Sequence, residues 1–298
     1  LNGPAMEPPP GVIPNLDNPP NKDAIGYGVF LTCICLSSIL VAIRLYAKII
    51  CTKLVKKEDY LVVVALGVFA SFIYLSLEAV KFPGMYVHMW DVRLKDLSKI
   101  LYVSLSSDLN AISAVYGIAT MILKVAILLQ WVHTFVPRGI RNSFFWISHF
   151  TIWFNIIFYT ACTIVDIWGC TPREKSWNLM ILGGTCVNKN SVRIITSIVN
   201  FISDFIILVL PQKVIWELQM TKNTRIGVCF VFAVGVIATI CGGMRMRSTI
   251  TYVKSKDQTY TVSTMSLWYT AEITSGFLVF CIPAIPQALR SPPLLRRL

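Results

Sequence analysis

Charge is what this chain has least of. Only 14% of its 298 residues are charged, against about a quarter in a soluble domain. That is too few to clothe a globule of this size, so much of the surface must face lipid. Histidine is scarce as well. His88, His133 and His149 lie far apart with no ligand spacing, so no metal site is expected. The chain has no Gly-rich phosphate loop, nucleophile elbow, Cys-x-x-Cys pair, N-x-Ser/Thr sequon, cleavable signal pattern or internal repeat. The enzyme classes those motifs mark are therefore set aside. The net charge of +12, from 27 basic and 15 acidic residues, does not point to nucleic acid. The basic residues stand in short groups between apolar runs, as they do at headgroup level against anionic lipid.

What the chain does have is hydrophobic length, at 55% hydrophobic residues. A spanning helix needs roughly 20 apolar residues. Seven stretches qualify: 24–49, 60–80, 110–132, 144–168, 192–210, 226–243 and 265–288. The expected fold is an all-α membrane protein, a seven-transmembrane helix bundle occupying residues 24–289. Residues 1–23 hold Pro8, Pro9, Pro10, Pro14, Pro19 and Pro20 and read as an extended polar lead-in. Met6 ahead of that stretch reads as the native start, and the five residues before it as an added remnant. Residues 290–298 read as a short basic tail.

Basic residues divide evenly between the two faces, so their count does not orient the bundle. The first helix does. Only Lys22 precedes it, whereas Arg44, Lys48, Lys53, Lys56 and Lys57 close it. This places the N-terminus and lead-in outside and the tail in the cytoplasm. Most of the nine cysteines fall inside apolar runs and read as small packing residues. Cys170 and Cys186 share a connection that then faces the oxidising side, where a disulfide persists. Two unrelated thiols are the alternative. The short, basic stretch 137–142 falls on the cytoplasmic side.

A series of short features recurs along the chain. Pro10 to Asn15 and Asn18-Pro19 lie in the lead-in. Arg44-Leu45-Tyr46 closes the first helix, His88-Met89-Trp90-Asp91 follows the second, and Lys124 comes late in the third. Cys170-Thr171-Pro172 precedes Trp177 and Cys186. Asp204 precedes Leu210-Pro211 and Trp216-Glu217-Leu218-Gln219-Met220. Trp268 and Glu272, then Cys281-Ile282-Pro283, mark the last helix. In order and spacing these features resemble the fungal rhodopsin-like domain family, over nearly the whole chain. That family includes receptor-like proteins of pathogenic fungi and compact membrane proteins of metabolite clusters such as the satratoxin cluster. The resemblance implies a fungal integral membrane protein of the plasma membrane or endomembrane system. There are departures. The family's paired aspartates opening the second helix read Glu58-Asp59, its Gly-x-Gly-x-His reads Gly84 to His88, and its aromatic-x-Arg reads Trp131-Val132-His133. Loss of that arginine weakens any inference of standard G-protein coupling, and the usual receptor signatures at the ends of the third and seventh helices are absent. Retinal attachment requires a lysine in the seventh helix, and 265–288 contains none. No cofactor is expected.

An ionisable group at mid-membrane costs about 3 kcal/mol or more, so it faces the bundle interior and has a partner. Lys124, Asp166, Asp204 and Glu272 are such groups, with Asp108 and Arg245 near the outer ends. Lys124 and Asp204 fall at similar depth, which permits an ion pair between helices; fixing helix packing is the plainer use. Glu272, one to two turns inside the outer face, shares a helix face with Trp268. An acid beside an indole suits a ligand's cationic or hydrogen-bonding group and equally a salt bridge to Arg245. His88, Trp90 and Asp91 are either ligand contacts or a loop folded over the bundle mouth. Pro211 reads as the end of the fifth helix, and Pro283 and Pro286 as breaks in the seventh. Gly235, Gly242 and Gly243 read as points of close helix approach.

Three functions compete. The first is a receptor-like sensor that holds a small lipophilic ligand in the outer half through Glu272, Trp268, Lys124, Arg245, His88, Trp90 and Asp91, and addresses a cytoplasmic signalling partner. The second is a cofactor-independent cyclase or isomerase of a secondary-metabolite pathway, with Glu272, Asp204 and Asp166 as general acids. A transporter is the third, and seven segments without inverted repeats argue against it.

Overall fold

The computed structural model describes residues 3–94, 107–136, 142–172, 183–217 and 222–285. Seven long helices cross it: α1 Asp23–Tyr46, α2 Lys57–Lys81, α3 Ser107–Phe135, α4 Ser143–Trp168, α5 Lys189–Glu217, α6 Lys222–Lys254 and α7 Gln258–Cys281. All seven are long and apolar enough to cross a membrane. α1 continues into a π-helical turn at Ala47–Cys51, and α7 into a 3-10 turn at Ile282–Ala284. α7 packs on α1, α3 and α6, while α3 packs on α2, α4, α5 and α7. These two form the axis of the bundle. Their apolar windows are 61% and 67% buried, and no other helix exceeds 33%.

α6 and α7 correct the boundaries expected from hydropathy. α6 runs on to Lys254 rather than stopping at residue 243, and α7 starts at Gln258 rather than 265. Hydropathy marks where apolar side chains stop, but backbone hydrogen bonding continues through polar turns. Glu272 therefore lies about four turns into α7, at mid-bundle rather than near its rim. The longer α7 still contains no lysine. Pro211 also departs from expectation, because α5 passes through it to Glu217. Neighbouring helices let spanning helices tolerate such a proline.

The lead-in does not run free. Ala5 N–H donates to Val92 O at 2.8 Å and Leu94 N–H to Gly3 O at 2.9 Å, while Asn15 N–H donates to Asp91 Oδ1 at 2.9 Å. Lys22 N–H meets Met85 O, and Met85 N–H donates to Asp23 Oδ1 at 2.6 Å. Gly84 makes this turn at φ +111°, with Asp23 Oδ1 3.1 Å from where a Cβ would stand. On the same end, β1 Cys170–Thr171 pairs antiparallel with β2 Thr185–Cys186, and Cys170 and Cys186 are disulfide-bonded. We call this end near and the opposite end far. Trp177, Leu218 to Met220, Pro286, Arg290 with the 290–298 tail, and 137–141 lie outside the described residues.

Candidate functional site

Four helices turn small sets of polar residues toward one another. The positions recur at three- and four-residue spacing, which keeps each set on one helix face. They are 116, 120 and 124 on α3, 197, 200 and 204 on α5, 245 and 249 on α6, and 269 and 272 on α7. Where the faces meet, two cations and two carboxylates form a neutral network. Arg245 Nε donates to Glu272 Oε2 at 2.5 Å, and Lys124 Nζ lies 2.8 Å from Asp204 Oδ1. Asn200 joins the two pairs. Its Nδ2 donates to Glu272 Oε1 at 2.5 Å and to Asp204 Oδ2 at 3.1 Å. Its Oδ1 accepts from Lys124 Nζ at 2.8 Å and from the Tyr159 hydroxyl. Tyr116 donates to Glu272 Oε1 at 2.9 Å.

Every ion here would be costly alone in an apolar interior, and each is hydrogen-bonded. Glu272 accepts from three donors. Gly242 lets α6 close onto α5: a Cβ there would stand 3.0 Å from Asp204 Oδ2. The Arg245 guanidinium sits 5.4 Å from the Tyr116 ring centre and 5.5 Å from that of Tyr269, whose rings stack at 4.3 Å.

A narrow cleft reaches this network from the near half. Ser113, Tyr116 and Gly117 of α3 line it, with Tyr159, Cys162, Thr163 and Asp166 of α4 and Val192, Arg193 and Thr196 of α5. Arg245 and Tyr269 complete the lining. Its free volume is about 20 Å³, room for a single water. Asp166 has Ser113, Arg193 and Lys189 beside it.

A second charged cluster closes the far end. Arg44 donates through Nε to Asp59 Oδ1 at 2.8 Å and through Nη1 to Phe280 O at 2.7 Å, and Nη2 lies 2.8 Å from Asp59 Oδ1. Its guanidinium covers the Phe280 ring at 3.7 Å. Phe280 O is one of the last α7 carbonyls, which have no partner inside the helix. Asp59 Oδ2 accepts from Lys56 N–H and so caps α2. Beside it His133 Nδ1 meets Glu58 Oε1 at 3.1 Å.

The structure thus brings together Lys124, Asp204, Arg245 and Glu272, and places Asp166 in the adjoining cleft. It puts the remaining candidates elsewhere. His88 pairs with Asp257 at 2.6 Å and stacks between Trp90 and Tyr260, at 4.1 and 4.4 Å, while Asp91 holds Asn15. These three form the cap where the lead-in meets α7 and do not line the cleft. Trp268 is half-buried and, among the described residues, makes no hydrogen bond or ring contact with the network. Tyr269, one position on, takes that place. Asp108 falls in the first turn of α3 with its side chain outside the described set. No group of three or more metal-ligating side chains occurs among the described residues.

Sequence reasoning missed Asn200, Tyr116, Tyr159 and Tyr269. Asn200 is neutral, so the search for intramembrane charge passed over it. Its signal was its place four residues before Asp204 on one helix face. The Arg44–Asp59 pair was also missed, although both residues had been noted at helix ends.

Comparison with known proteins agrees with this architecture. The Fungal rhodopsin domain matches residues 43–291. The chain is 33% identical over 300 residues to Fugralins biosynthesis cluster protein 2 of Gibberella zeae, covering 100% of this chain and 73% of that protein. It is 33% identical over 221 residues to a SAT4 family membrane protein of Emericella nidulans, covering 74% of this chain and about half, 54%, of that one. It is 19% identical over 280 residues to Receptor GIN3 of Arthrobotrys oligospora, covering 93% and 64%. No solved structure gives a significant match. The chain belongs to the fungal rhodopsin domain family and is a membrane protein.

Proposed function

We propose that this fungal rhodopsin-domain protein is a receptor-like sensor. It takes a small lipophilic ligand in the near half of the bundle and passes the event to the far end. One observation carries the reading. The cleft floor is made of Tyr116, Tyr159, Tyr269 and Arg245, the side chains that surround the ion-pair network joining α3, α5, α6 and α7. A group entering the cleft acts on all four helices at once. In this reading the near end faces outside, in the plasma membrane or an endomembrane, and a signalling partner meets the far end. Relatedness to a protein named as a receptor supports it.

The enzyme reading draws its support from the relative named for a biosynthesis cluster. The geometry gives it less. Glu272 and Asp204 already accept from cations and from Asn200, and among the described residues no two acids converge on an empty point. Asp166 is the one carboxylate among the cleft-lining residues.

The test uses purified protein in nanodiscs, titrated with fractions of a lipophilic extract of the source fungus, with spin labels at the far ends of α3 and α6. A fraction that raises the melting temperature, changes the label distance and is recovered chemically unchanged supports the sensor. Gly117→Phe should abolish both responses, because a Cβ at Gly117 meets only Tyr159 Cδ1 and Thr163 Oγ1, at 3.7 and 3.9 Å, and the ring would fill the cleft. Recovery of an isomerised compound would move the assignment to the enzyme.

A further inference from the structure

Where α1 passes into α2, at the far end, the chain sorts its charges by sign. The acids turn inward. Glu58 and Asp59 are 2% and 1% exposed, and His133 and Arg44 answer them. The lysines turn outward. Lys53, Lys56 and Lys57 are all exposed and make no ion pair among the described residues. At the near end, by contrast, Lys81 pairs with Glu78 and Arg93 with Asp17. The three lysines fall within five residues, so at most about 14 Å of chain separates the first from the last.

This connection is held at both ends. Thr52 N–H donates to Ala47 O at 3.0 Å and Leu54 N–H to Lys48 O at 3.1 Å, which closes α1 with Lys53 at φ +52°. Asp59 Oδ2 accepts from Lys56 N–H at 2.9 Å and opens α2, while its Oδ1 takes Arg44. The few residues between these anchors keep their lysines at the end of the bundle. Apolar side chains stand among them. Ile49, Ile50, Leu54, Val55 and Tyr60 are exposed, Leu54 at 66%. Because α1 and α2 are both long and apolar enough to span, their connection falls at headgroup depth. There apolar groups enter the acyl boundary while lysine stems carry their charge out to the headgroups.

We propose that the α1–α2 connection binds the headgroup of an anionic phospholipid in the far leaflet. Lys53, Lys56 and Lys57 meet its phosphates, and Leu54 and Val55 lie against its acyl chains. Clustered lysines beside a spanning helix suit a headgroup that carries more than one phosphate. The site is separate from the cleft and stands independently of the sensor reading.

The test uses the full chain, purified in an uncharged detergent and titrated with phosphatidylinositol bisphosphate, phosphatidylcholine or soluble inositol trisphosphate. Native mass spectrometry counts the molecules bound. The bisphosphate lipid should be retained at least about tenfold better than phosphatidylcholine. A triple variant, Lys53→Gln with Lys56→Gln and Lys57→Gln, should hold the two lipids equally. Its melting temperature without added lipid should match the parent's, because the replaced side chains are exposed. A near-end control, Lys254→Gln with Lys256→Gln, also removes exposed lysines and should keep the preference. Inositol trisphosphate should bind less tightly than the lipid, since it has no acyl chains. Equal retention of the two lipids by the parent would overturn the proposal, as would an unchanged preference in the triple variant. Loss of the preference in the near-end control would reveal attraction to overall charge and overturn the site. Inositol trisphosphate binding as tightly as the lipid would make the ligand a soluble phosphate and overturn the membrane assignment.

Discussion

Two arginine–carboxylate pairs are buried among the described residues of this bundle, and they differ in what surrounds them. At the far end, Arg44 commits Nε and Nη2 to Asp59 and Nη1 to Phe280 O, with an aromatic ring against its face. Asp59 also caps α2. At mid-bundle, Arg245 Nη1 makes no hydrogen bond among the described residues, its carboxylate is shared with an asparagine and a tyrosine, and a cleft reaches it. The first arrangement ties α1, α2 and α7 in one fixed geometry. The second spreads one interaction over four helices and leaves it open to competition. The same pair of residue types is a fixed tie, a staple, where all three guanidinium nitrogens are engaged, as in Arg44, and in the proposed sensor it is the point where a ligand acts.

The largest effect is expected where the comparison is most one-sided. Asp59→Ala leaves Arg44 buried without its counter-ion and uncaps α2, and should cost about 3–5 kcal/mol. It would be read as loss of monodisperse protein in detergent. A variant as stable as the parent would end the staple argument. Next comes Glu272→Leu, which strands Arg245 and should cost about 3 kcal/mol. Adding Arg245→Leu should recover most of that loss in melting temperature, since an apolar pair can replace a buried ion pair. The ligand response should stay absent in the double variant, and its return would show that the pair is only packing.

Asn200 sharpens the comparison further. If it couples the two ion pairs, a double-mutant cycle of Asp204→Asn with Glu272→Gln should give an interaction energy of about 1 kcal/mol. The same cycle on an Asn200→Ala background should fall near zero, and an unchanged value would make the pairs independent. The smallest effect belongs to His133→Ala. His133 is half-exposed and touches Glu58 at 3.1 Å, so the loss should be under about 1 kcal/mol. A larger one would extend the staple to α3.

How legible was this in the residues? The seven helices were, because lipid demands long apolar runs and leaves little else possible. The cysteine bridge was too, since both cysteines fall in one short connection. The helix ends at Lys254 and Gln258 were not, because polar turns carry no hydropathy signal. Lys124, Asp204, Arg245 and Glu272 stood out by the cost of charge in an apolar interior. Asn200 and the three tyrosines did not, since polar neutral residues are common on helix faces.

By itself, then, the sequence determined that this chain crosses a membrane seven times, that its few interior charges must find one another, and that no lysine waits in the last helix for retinal. Those conclusions follow from transfer energies, which depend on composition and run length alone. Only the tertiary structure decided which charges pair, that Asn200 stands between them, that His88, Trp90 and Asp91 sit in the cap and not in the lining of the cleft beside Arg245, and that Arg245 Nη1 makes no hydrogen bond among the described residues. Such outcomes depend on helix rotation and depth. A rotation of one residue, about 100°, would bring different faces together without changing a single apolar run.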